Sequence, residues 1–81
     1  MRYKFQRQKV KALREQHGLS QHLMGKKIGL PAQQISAYER GDYIPTTPVL
    51  IRLLNVFHLP ADYFFVPDNY SDNNISPDQV A

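Results

Sequence analysis

An all-α fold in one small domain is what this sequence predicts, and three observations carry the prediction. Gln21, Gly25, Gly29 and Ile35 stand in the spacing Q-x3-G-x3-G-x5-I. That supplies a small residue, a turn glycine and a core aliphatic where two short crossing helices need them. Apolar residues recur at helical spacing, most clearly Leu50, Leu53, Leu54 and Phe57 at i, i+3, i+4 and i+7. A chain of 81 residues without cysteine has room for one domain, burying about 60 to 65 % of its unfolded surface.

Five helices follow in order. The first runs from Phe5 to His17 with Val10 and Leu13 on one face, and Gly18 ends it. Ser20 suits the N-cap of a second helix carrying Met24 and Ile28. Inside it Gly25 lacks a Cβ, so another helix can approach closely there, at about 1 kcal/mol against alanine. Gly29 closes that helix with φ > 0, and Pro31 opens the next, where a missing N–H costs nothing. The third helix spans Ala32 to Arg40 and ends at Gly41. At about 100° per residue its inward side is Ile35, Tyr38 and Glu39, and its outward side is Gln33, Ser36, Ala37 and Arg40. Thr46 or Thr47 caps a fourth helix with Pro48 in its first turn. Pro60 to Val66 reads as a short fifth helix closed by Pro67. The domain is thus expected over 1–66. A flexible acidic tail is expected over 67–81, where Tyr70, Ile75 and Val80 are too few large apolar residues to offset ordering entropy.

Charge is divided along the chain. All ten Lys and Arg lie between Arg2 and Arg52 beside Glu15, Glu39 and Asp42, so the first 52 residues carry +7. Asp62, Asp68, Asp72 and Asp78 give the remainder −4. A basic head attracts phosphate backbones through counterion release. The absence of cysteine removes thiolate metal sites and thiol nucleophiles and fits a reducing, cytoplasmic setting. His17, His22 and His58 have no metal-ligand spacing, and there is no phosphate-cradling loop, nucleophile motif or carboxylate pair. Catalysis, metals and cofactors are therefore not expected. No targeting or membrane-spanning segment is expected either, since Arg52 interrupts the longest apolar run.

Two helices joined by Gly29-Leu30-Pro31 have the form of a helix-turn-helix, whose second helix enters the major groove of DNA. The runs Leu13-REQHGLSQ, Ile28-GLPAQQIS, Tyr38-ERGDYIP and Leu50-IRLLNVFHLPADYF, in that order, resemble the phage repressor and Cro type of helix-turn-helix domain, the XRE family. The resemblance covers roughly Gln6 to Phe65. It implies a compact five-helix, lambda-repressor-like domain that binds double-stranded operator DNA, usually as a homodimer with one recognition helix per half-site.

By that resemblance Gln21 contacts phosphate, and Gln33, Ser36 and Ala37 face bases with Ala32 and Gln34 on the flanks. The side chains themselves suit this: Gln pairs with adenine N6 and N7, and Ala meets a thymine methyl. Lys26, Lys27, Arg40, Tyr43 and Thr46 flank the motif and are candidate phosphate contacts. Pro31 and Thr47 depart from the family pattern, which has Ser or Thr and Leu there; so does Ala32, where a polar residue is common. Arg14 and Glu39 match a salt bridge that ties the first helix to the third. Leaving Glu39 unpaired on the inward arc would cost several kcal/mol. Phe57, Leu59, Tyr63, Phe64, Phe65 and Val66 offer more apolar surface than one short helix buries, which makes Phe57, Tyr63, Phe65 and Val66 the expected dimer interface. Two functions fit these features. One is a transcriptional regulator, with repression favoured. The other is an antitoxin-like protein-binding module whose tail holds a partner protein while the head anchors DNA.

Overall fold

Helical spacing and end signals place the three central helices where the sequence puts them. In the computed structural model, which describes residues 2–69, the order is β1 (Tyr3–Phe5), α1 (Arg7–Gln16), α2 (Gln21–Ile28), α3 (Ala32–Arg40), α4 (Thr47–Phe57) and β2 (Phe65–Pro67). Ser20 Oγ accepts from the Leu23 N–H at 3.1 Å, satisfying one free donor of the first turn of α2. Gly29 closes α2 at φ 77, and the Leu30 N–H returns to the Gly25 carbonyl at 2.8 Å. That bond explains Gly25. A Cβ added there would lie 2.2 Å from the Leu30 oxygen, so the close approach comes from the backbone of the turn itself, not from another helix as the sequence suggested.

The core gathers Val10 and Leu13 from α1, Met24 and Ile28 from α2, Ile35 and Tyr38 from α3, and Val49 and Leu53 from α4. Phe64 joins them, fully buried, from the segment before β2. Half-buried Leu50, Leu54 and Phe57 close the flank of α4. The chain leaves α4 through His58, whose φ of 55 is the one positive value at a non-glycine among the described residues.

The expected fifth helix does not form. After Pro60 the chain makes tight turns, with N–H groups of Tyr63 and Phe65 bonded to carbonyls of Pro60 and Asp62 at 3.0 Å. It then extends as β2, antiparallel to β1 with Tyr3 opposite Pro67, Lys4 opposite Val66 and Phe5 opposite Phe65. Aromatic and β-branched side chains suit a pleated strand, and the amino-terminal segment supplies the partner. The same pairing shortens α1, since Phe5 belongs to β1 and the Gln6 N–H donates to the Phe64 carbonyl at 2.7 Å. Among the described residues the fold is therefore mostly helical, with four helices and a two-stranded sheet rather than five helices. Pairing also continues past Val66: the Asp68 N–H bonds the Arg2 carbonyl at 2.7 Å. The rest of the expected tail, 70–81, lies outside the described residues.

Candidate nucleic-acid interface

α3 packs against both α2 and α1, and this decides which of its side chains reach the surface. Gln33 is exposed, and Ala32, Gln34 and Ser36 are half-buried. Ala37, expected on the outward side, is only 5 % exposed. Its short side chain is packed out of solvent, which removes it from the base-facing residues. A shallow groove runs along what remains, lined by Gln21, Ala32, Gln33, Ser36 and Arg40.

Beneath the groove lies the ion pair. Arg14 Nε meets Glu39 Oε2 at 2.7 Å, and Nη2 meets Oε1 at 3.1 Å. The third guanidinium nitrogen donates to the Leu19 carbonyl at 2.9 Å. With side-chain exposures of 14 % and 7 % the pair is largely out of water. The hydrogen bond that Arg14 donates to Glu39 raises the Arg14 pKa further above its already alkaline value, against the lowering effect of burial. Glu39 Oε1 also accepts from Gln21 Nε2 at 3.2 Å. One carboxylate thus joins α1, α2 and α3, and sets the amide of the residue that opens α2.

Of the other expected DNA contacts, Lys26, Tyr43 and Thr46 are exposed, as is Lys27. Arg40 is engaged: it donates to Ser36 Oγ and, through Nε at 2.9 Å and Nη2 at 2.8 Å, to Asp42 Oδ2. Two arginines that the sequence did not single out hold the motif from outside. Arg52 of α4 donates to the Ile28 carbonyl at 3.1 Å, completing the C-terminal end of α2. Arg7 of α1 reaches the Glu39 carbonyl at 3.4 Å near the end of α3. The available signal for Arg52 was its place as a lone charge in an apolar helix.

The expected dimer residues are half-buried. Phe57 packs on His17 with ring centroids 4.8 Å apart. Tyr63 lies beneath the Lys9 ammonium at 4.7 Å. Phe65 meets Phe5 edge to face at 6.1 Å, and Val66 sits in β2. Beside Phe65 a second apolar groove is lined by Tyr3, Lys4, Phe5, Ile44 and Asp68. Among the described residues no group of three or more His, Cys, Asp or Glu is placed to hold a metal. No helix among them is long and apolar enough to cross a membrane.

Two short helices joined by a glycine turn, the second with an exposed polar face, define a helix-turn-helix domain. The chain belongs to the DNA-binding helix-turn-helix family of XRE type, whose family model matches residues 10–64. It is 33 % identical over 57 residues to the HTH-type transcriptional regulator YgzD of Bacillus subtilis (strain 168), covering 70 % of this chain and 86 % of that protein. Its fold is similar to that of the P22 c2 repressor, solved in complex with synthetic operator 9T, with a TM-score of 0.68 at 25 % identity over 74 % of this chain and 91 % of that one. A transcriptional regulator from Listeria innocua shares the fold at TM-score 0.71 and 23 % identity, over 99 % and 85 % of the two chains.

Proposed function

We propose that this protein is a sequence-specific transcriptional repressor that lays α3 in the major groove and binds a near-palindromic operator as a homodimer. The observation that carries the reading is Gln33. It is exposed on the first turn of α3, beside Ala32 and Ser36 in the groove, and its amide is bonded to none of the described residues. A glutamine so presented pairs with adenine N6 and N7, while the half-buried Ala32, Gln34 and Ser36 set the fit around it. Gln21 keeps one amide proton beyond the one given to Glu39, and with exposed Lys26, Tyr43 and Thr46 it forms the phosphate-facing margin. The P22 c2 repressor, similar in fold, is a repressor seen on an operator, which favours operator binding and repression here.

The test is selection from genome fragments, followed by titration of variants. Gln33→Ala is expected to cost about 1 to 3 kcal/mol on the selected site and to relax preference at one base pair. Lys26→Ala should weaken all duplexes alike and lower the salt slope by about one. Equal losses on selected and random DNA for both variants would reject the reading.

A further inference from the structure

Arg40 ends α3, and its guanidinium is gripped on two sides before any ligand arrives. Nη1 donates to Ser36 Oγ one turn back, while Nε and Nη2 both reach Asp42 Oδ2, at 2.9 and 2.8 Å. A guanidinium has five N–H groups. Three are engaged here, and one remains on each terminal nitrogen. The side chain therefore folds back along α3 instead of trailing off its end, and it lines the groove with Gln21, Ala32, Gln33 and Ser36. Asp42 is itself held, since its N–H bonds the Ala37 carbonyl at 3.0 Å across the turn at Gly41. The two side chains are 58 % and 50 % exposed, so the pair adds little to stability and its use lies elsewhere.

Charge and geometry separate two uses of such an arginine. A phosphate contact draws on net charge through counterion release, and a carboxylate at 2.8 Å cancels most of that charge. A guanine contact draws on two donors presented together to O6 and N7, and a fork already fixed in orientation loses less freedom on binding. We propose that Arg40 is a specificity-determining residue that reads a guanine in the same half-site as the base read by Gln33, and that Asp42 is the positioning residue that aims it. This rests on α3 being the base-reading helix. It moves Arg40 from the phosphate-contacting residues to the base-contacting ones.

The experiment is selection from random duplexes with the wild type, Gln33→Ala, Arg40→Ala, Arg40→Lys and Asp42→Asn, each then titrated against salt on the wild-type consensus. The wild-type consensus is expected to carry one guanine per half-site, preferred by about 5- to 150-fold over other bases. Arg40→Ala should lose that preference and keep the Gln33-dependent position. Arg40→Lys should lose it too, because a point charge replaces the fork. Asp42→Asn keeps the arginine and frees it: guanine preference should fall while random-duplex binding tightens and the salt slope steepens by about one. Arg40→Ala weakening all duplexes alike with the guanine preference intact would show a phosphate contact and overturn the proposal. Guanine preference intact in Asp42→Asn would remove Asp42 from it. A consensus that changes with Gln33→Ala and not with Arg40→Ala rejects this inference alone. No enrichment by the wild type rejects both it and the reading beneath it.

Discussion

Glu39 accepts Arg14 through both of its oxygens and Gln21 through one of them. Because both partners of the ion pair are mostly desolvated, removing either leaves a charge without water or a counterion. Loss of Arg14 or Glu39 is expected to cost about 3 to 5 kcal/mol, against about 0 to 1 kcal/mol for a surface pair. A double-mutant cycle in urea measures it, and coupling near zero would show that α1 and α3 are joined by other means. The raised Arg14 pKa means this contribution is fully present below the unfolded-state value and is lost only as pH rises through the folded one. Arg14 therefore brings no pH dependence in neutral or mildly alkaline solution. The need for a cation was legible because Glu39 shares the inward arc of α3 with Ile35 and Tyr38, and the family resemblance pointed to Arg14 as that cation. The bond from Gln21 was not, since periodicity says which face a residue occupies and not which of two polar partners its amide chooses.

At the scale of elements, end signals and tertiary competition had different success. α2 and α3 form between Ser20, Gly29, Pro31 and Gly41, all of them local signals. The segment 60–67 has Pro60 and Pro67 at its ends but no capping side chain or turn glycine, and its aromatic and β-branched side chains fit a strand once β1 is available to pair. Its anchor is Phe64, with no exposed surface and rings of Phe5 and Tyr63 at 5.7 and 5.0 Å. Phe64→Ala is expected to lower stability by about 3 to 5 kcal/mol while leaving the helical circular dichroism of the folded protein unchanged, because Phe64 lies on no helix. A marked fall in that signal below the unfolding transition would contradict the strand assignment.

For the whole molecule the proposed homodimer turns on the surface around Phe65. Folding of 60–67 into turns and a strand buries Phe64 and leaves Tyr63, Phe65 and Val66 half-buried. Tyr3 at 58 % and Ile44 at 66 % exposure add apolar surface beside Phe65. A two-fold contact there, isologous by symmetry, would have to set the recognition helices about 34 to 36 Å apart to reach successive major grooves. Sedimentation equilibrium at micromolar concentration is expected to return a dimer, and Tyr63→Asp or Phe65→Asp a monomer with weaker operator binding. A wild-type monomer that occupies operator DNA one per site would remove the dimer.

The sequence by itself determined the helix-turn-helix: its turn glycine, its caps and the inward arc of α3 are all written within a few residues of where they act. Only the tertiary structure decided the rest. Ala37 is buried although the period of α3 puts it outward. The fifth helix gave way because its segment found a partner at the other end of the chain. Arg40 turns back into the groove because Asp42 and Ser36 stand where their bonds can hold it. Each of these outcomes depends on neighbours that helical periodicity does not specify, whereas a cap or a turn glycine acts on its own backbone and so can be read without them.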